Sequence, residues 1–264
     1  LSVALDGLYG AYLKANYPLE FYSTLIEIYT EKKDSDRLTL IKQEMKEFGI
    51  YEEKAKFRMS NSVSFNYGTN KINMSISSIK HISESCANGL YSLRDNNYPN
   101  FFYLIKDIYE LKIANTRQLN ILIMLNYFEE FGNIGKLLKI EELYQSYYGK
   151  KTFKKDNLSI DIYDIIKKYA EKETPKQFTN VNIDGLLNEL INNLQDFDIP
   201  TKDKVLAEIQ YIGYATSTDN CDKSICIVSN IDDSRTNPII TLYFLNDGKS
   251  KQIKIKSKLF KDSG

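Results

Sequence analysis

Few residues in this chain have types and spacing suited to covalent or metal chemistry. His81 is the only histidine, and no nucleophile stands beside it in the sequence, so a Ser–His or Cys–His arrangement has no sequence support. Cys86, Cys221 and Cys226 are odd in number and scattered, with no CxxC pair. That pattern points away from a disulfide framework and a structural zinc site, and toward a reduced, cytoplasmic setting. Asp161 and Asp164 are spaced i,i+3 on a helical stretch, where carboxylates usually form a solvated face. Asp232-Asp233 falls in a loop between strand patterns, where a pair of carboxylates seldom holds a metal. Gly132-Asn133-Ile134-Gly135-Lys136 imitates a phosphate-binding loop, but its spacing is short and it follows a helix instead of a strand. A cap followed by a new helix explains it better. The remaining chemistry is electrostatic. Lys150, Lys151, Lys154 and Lys155 surround Phe153 in a basic loop, and Lys249, Lys251, Lys254, Lys256 and Lys258 line the last strand pattern. Such lysines neutralise phosphates, or they keep a loop and an edge strand soluble.

The elements that must position these groups are mostly helical. Val3–Ala15 has an apolar stripe, Asn16-Tyr17-Pro18 breaks it, and a second helix starts near Pro18. Asp34 or Ser35 caps a third helix, which Gly49 closes. Between Ile72 and Gly132 two helix–turn–helix patterns sit back to back. In the first, Ile79 and Ile82 lead into a helix with Ala87, Leu90, Tyr91 and Leu93. In the second, Asn115 or Thr116 starts a helix with Leu119, Leu122, Ile123 and Leu125 that stops at Asn126. Tyr127 and Phe128 then re-enter the core. Further helices are predicted at 134–149, 160–169, 183–194 and from Thr201 to Tyr211, with Thr174-Pro175 as a break. After Ser224 the period changes to two, with strands at 224–228, 239–244 and 252–255.

A family resemblance now has its residues. LSVALDGLYGAYLKANYPLEFY, residues 1–22, resembles the end of the fingers region of bacterial C-family replicative DNA polymerases, the DNA polymerase III alpha subunits. The similar part is Ala11 to Ala15, Tyr17-Pro18 and Glu20-Phe21, following an aliphatic helix. Phe48-Gly49-Ile50, the extended 56–73 segment, Ser75 to Lys80, Asn115 to Leu119, and Phe128 to Gly132 follow in the family's order. The match covers about the first half of the chain well and the rest loosely. It implies a mainly α fold: a fingers end over 1–55, a tandem helix-hairpin-helix module over 56–135, a helical connector over 136–215 and a truncated start of an OB domain over 216–264. Where the family's first hairpin carries glycines, this chain has His81-Ile82-Ser83. At the second hairpin the glycine position is Asn126, the residue type that best tolerates φ > 0 after glycine.

The resemblance implies a DNA-binding fragment of a DNA-directed DNA polymerase, with duplex and template DNA as partners. Nucleotide addition there uses palm carboxylates and magnesium, which this stretch lacks, so no cofactor is expected here and the fragment should be inactive alone. The implied DNA contacts are Lys80, Ser83, Arg117, Asn126, Tyr127, Lys249, Lys251, Lys254 and Lys256. The second hairpin is expected to bind better than the first, whose glycines are missing. The family also holds a sliding clamp through a glutamine-led motif ending in Leu-Phe. Leu259-Phe260 lacks the leading Gln, so clamp binding falls on no residue. Two rival readings are a stand-alone nucleic-acid-binding module and a helical protein-interaction scaffold.

Composition bounds all of these readings. The 264 residues allow two or three domains, and 35 basic against 35 acidic side chains give no net field toward polyanions. Any phosphate site must therefore be a local patch. No apolar run approaches membrane-spanning length, and the first residues do not read as a signal peptide. Starting inside a helical pattern without Met, the chain reads as a piece of something longer.

Overall fold

The computed structural model describes residues 2–32, 34–234 and 236–256. Lys258 and Leu259-Phe260 lie outside the described residues. In chain order come α1 (Ser2–Asn16), α2 (Pro18–Glu31), α3 (Ser35–Glu47), β1 (Tyr51–Glu53), β2 (Asn66–Tyr67), β3 (Lys71–Asn73) and α4 (Glu84–Ser92). Next are α5 (Phe101–Glu110), α6 (Thr116–Met124), α7 (Ile134–Tyr147), β4 (Thr152–Lys154), α8 (Ile160–Tyr169), β5 (Ala170–Glu173), β6 (Gln177–Val181) and α9 (Ile183–Asn192). The last elements are α10 (Thr201–Ile212), β7 (Cys226–Asp232), β8 (Ile239–Phe244) and β9 (Ser250–Lys254). The protein is thus mainly α with three small sheets. No described helix is long and apolar enough to cross a membrane.

The chain divides into two compact units, Leu1–Arg94 with Ile199–Gly264, and Asp95–Asp198. The division runs between the two helix–turn–helix patterns, so one lies in each unit. The pieces of the first unit are stitched together by long-range bonds. The Lys54 ammonium donates to Glu208 at 2.6 Å, and the Lys80 amide donates to the Tyr211 carbonyl at 2.9 Å. Sheet β1–β3–β2 packs with α2 and α3, and the antiparallel sheet β7–β8–β9 packs with α10 through Val205, Ile227, Tyr243 and Leu245.

The second unit builds helices α5, α6, α7, α8 and α9 around buried Phe101, Phe102, Leu122, Phe128 and Leu137, with a three-stranded sheet, β4–β6–β5, at its side. This sheet was not visible in the helical periodicity. Lys150 to Lys155, read as a basic loop, contains β4; Phe153 is buried against Ile166 and Phe178, and Lys155 pairs with Glu173. The Thr174-Pro175 break is a hairpin turn joining β5 to β6, closed by the Thr174 amide on the Gln177 carbonyl. Strand β5 reads AEKE and is mostly exposed, so it has no apolar alternation to detect. Helix α5 was also unread, although Asn100 caps it and Phe101, Leu104, Ile105 and Ile108 form its buried stripe.

Candidate nucleic-acid interface

The second hairpin is built by the end of α6. Asn115 caps the helix start in a reciprocal box with Gln118. At the other end Asn126 takes φ 60°, the left-handed region. Its amide donates to Ile123 O at 2.9 Å, and the Tyr127 amide donates to Leu122 O at 3.0 Å. These two bonds make a Schellman cap, the arrangement that also ends α3 at Gly49. The cap has a consequence for binding. With the Leu125 amide bonded to Ile121 O as well, three consecutive turn amides point into α6 and away from any ligand. The expectation that this turn presents its N–H groups to phosphate is therefore corrected. Tyr127 is only 1% exposed, so it anchors the turn and cannot touch DNA. Glu129 and Glu130 are exposed just beyond it, and the Asn126 amide group donates to Glu129. Arg117 is exposed near the other end of α6, about 13 Å away at 1.5 Å per residue. The two are not brought together.

If the cap is what Asn126 provides, the effect of mutation is on stability. Asn126→Val should cost roughly 1–2 kcal/mol, because an L side chain with a branched Cβ resists this region. Asn126→Gly should stay close to wild type. Urea unfolding of both variants checks this, and a Val variant as stable as Gly would rule it out.

The first hairpin is more open. The Ile82 amide donates to Ile79 O at 3.1 Å, closing a turn in which His81 takes φ 71° without being glycine. The exposed His81 ring meets Tyr211 edge-on at 6.2 Å. Ser83 then caps α4, its hydroxyl accepting from the Cys86 amide at 3.3 Å. The amides of Ser83, Glu84 and Ser85 meet no acceptor among the described residues. Lys80 and Ser83 are both exposed beside them. The Glu84 carboxylate shares this helix start and competes with an incoming phosphate.

The lysines of the last strand do not form one face. In β9 Lys251 stands opposite Leu242 and shares its face with Ile253, whereas Lys254 stands opposite Ile239 on the other face. Lys249 lies across from Phe244 on the Lys251 side, and exposed Lys256 has the parity of Lys254. The strand period alone carried this signal, and grouping all four as one basic edge overlooked it. Lys249 is also 3.1 Å from Asp247.

Groups suited to catalysis are not gathered. Among the described residues no cluster of three or more His, Cys, Asp or Glu is arranged to hold a metal. Asp164 is exposed on α8; the Asp161 side chain lies outside the described residues. Asp232 caps its own turn, accepting from the Ser234 amide and hydroxyl. The start of α7, which imitates a phosphate loop, is covered: the Asp196 carboxylate accepts from Asn133, and the Lys136 amide donates to Phe197 O. Cys86 is buried, and burial pushes its thiol up to about 11, away from thiolate chemistry. One aromatic feature went unread: Tyr109, Tyr144 and Tyr148 stack at 5.2 and 4.4 Å. Burial, then the Glu141 carboxylate it donates to, push Tyr109 up to about 12, against a downward pull from Thr116. These are neutral packing groups at ordinary pH. Compared with known proteins, the chain matches no family model and no curated protein.

Proposed function

We propose that this chain is a DNA-holding part of a bacterial C-family replicative polymerase of the DNA polymerase III alpha type. Nucleotide addition would belong to palm carboxylates and magnesium outside this stretch, and the fragment would add no nucleotide by itself. One observation carries the reading. His81 and Asn126 stand where the resembled family has hairpin glycines, and both keep a left-handed backbone that side chains other than glycine rarely adopt. A retained turn with altered side chains is what divergence from a glycine hairpin leaves behind.

Within this reading the first hairpin is the better phosphate contact, because the Ser83, Glu84 and Ser85 amides that follow its turn are open beside exposed Lys80, while the second hairpin is closed on itself. Such contacts carry no base information, so binding should ignore sequence and weaken with salt. The test is duplex anisotropy at low salt with wild type, His81→Gly, His81→Val and Lys80→Ala. His81→Gly should bind at least as well as wild type, and His81→Val less well. Lys80→Ala should flatten the slope of log K against log salt by about 0.9. Absence of duplex binding, or identical binding by all four proteins, would remove the first hairpin from any DNA role.

A further inference from the structure

Packing accounts for the rings of the Tyr109–Tyr144–Tyr148 stack, but not for their hydroxyls. The stack lines a pocket of about 500 Å³ between the end of α5, the start of α6 and the end of α7, with Glu110, Thr116 and Gln145 also in its walls. Glu110 is the only formal charge in those walls. Nearby, Glu141 is 6% exposed and has no ion-pair partner among the described residues. Lys106, 5.9 Å from the Tyr148 ring centre, is tied to Asp184 at 2.6 Å. Exposed Lys112 and Arg117 do not line the pocket. Its field therefore favours a cation.

The hydrogen bonds point the same way. The donors are spent within the protein: Tyr109 donates to Glu141, Tyr148 to Glu110, and the Gln145 amide group to Thr116. Acceptors are left over, and they come from three helices. The exposed Glu110 carboxylate has lone pairs beyond the one Tyr148 uses, and the Gln145 carbonyl has no partner among the described residues. Tyr144 is only 3% exposed, and its hydroxyl sits near Tyr148 and Glu110 without a hydrogen bond of ordinary geometry. Phenylalanine would stack as well there and bury no unpaired hydroxyl.

We infer that this pocket takes a guanidinium group, its donors on the Glu110 carboxylate and the Tyr144 hydroxyl. A guanidinium spreads five donors over a planar fork and is weakly hydrated, which suits separated acceptors in an aromatic surround; an ammonium gathers three donors on one atom. The inference is independent of the DNA reading. The group could belong to free arginine or to an arginine side chain of a peptide, and the two are separable.

The experiment is a ligand-observed NMR titration of the full chain at constant ionic strength. The probes are L-arginine, the blocked peptide acetyl-Gly-Arg-Gly-amide, L-lysine and tetramethylammonium. At least one arginine probe should bind saturably, and lysine and tetramethylammonium more weakly. Glu110→Gln should weaken arginine binding roughly 10- to 150-fold, the range for a hydrogen bond to a charged group. Tyr144→Phe should weaken it roughly 2- to 10-fold while leaving unfolding stability no lower than wild type, which a merely structural tyrosine would not do. Glu142→Gln, exposed on α7, should change nothing. Should Tyr144→Phe fail to fold, Glu110→Gln decides. Preference for free arginine assigns the pocket to the amino acid, and preference for the peptide assigns it to a partner's side chain; both support the guanidinium site. Equal binding of all four probes would overturn it, leaving only a negative field. So would affinity untouched by Glu110→Gln and Tyr144→Phe, or no saturable binding by either arginine probe. Duplex binding should be the same in every variant, so loss of this site leaves the hairpin reading standing.

Discussion

Glu208→Ala is expected to destabilise the first unit by about 3–5 kcal/mol, the usual loss when one partner of a buried ion pair is removed. Glu208 is 1% exposed, yet its carboxylate is well supplied with donors. It accepts from the Lys54 ammonium at 2.6 Å, from the Thr216 and Ser217 amides at 2.7 and 3.0 Å, and from both of their hydroxyls. One side chain thus ties the segment after β1 to α10 and to the loop that leads toward β7. Removing it strands the Lys54 charge, which is itself mostly buried, and two loop amides. Glu208→Gln keeps the volume and one acceptor, so it should lose less than the Ala variant. Denaturant unfolding at neutral pH measures both. An Ala variant within about 0.5 kcal/mol of wild type, the effect of an ordinary surface substitution, would show that the network stabilises nothing.

The same site predicts an acid-side pH dependence. Burial alone pushes the Glu208 carboxyl up, but the charge and hydrogen bond of Lys54, with Ser217 and Thr216, outweigh it and hold the group below the usual glutamate range. The folded protein therefore releases this proton more readily than the unfolded chain. Its contribution is complete above the unfolded glutamate value of about 4.3 and is lost as pH falls through the lower folded value. Wild type should lose more stability than Glu208→Gln as pH falls from about 5 to about 2. Parallel stability curves for the two would count against this assignment.

Phe128→Ala is expected to cost about 3–5 kcal/mol in the second unit, the range for deleting a buried phenylalanine ring. The ring is fully buried, 5.1 Å from Phe101 and 4.8 Å edge-on from Tyr127. Both partners matter to the hairpin. Tyr127 supplies the amide that closes the α6 cap, and Phe101 starts α5, also in contact with Phe131 at 5.6 Å. Loss of the ring leaves a cavity where three elements meet, and the turn at Asn126 loses the anchor on its exit side. Phe128→Leu should recover much of the loss by filling part of that space. If Phe128→Ala unfolds at nearly the wild-type denaturant concentration, the aromatic return is not what holds the hairpin closed.

Local interactions were readable from the sequence by itself. Asp34, Ser83, Asn115 and Asn182 cap helices through bonds that reach only three residues, and Gly49 and Asn126 end helices by entering the left-handed region. The apolar stripes of α4, α6 and α7 and the two-residue period of β8 and β9 are equally local, which is why these elements were found. The strands of 2–5 residues in the first two sheets were not, because so few residues cannot establish a period. What anchors the second turn also lay outside local reach. The closed cap at Asn126 reaches only three to five residues back, but the anchor behind it, Phe128 on Phe101, joins two different helices. Likewise Lys54 and Glu208 are 154 residues apart, and only the fold brings them into one bond. Caps and periods were determined by the sequence because their partners are near neighbours; tertiary structure alone decided the long-range pairings, such as Lys54 with Glu208 and Phe101 with Phe128, because those partners come from distant parts of the chain.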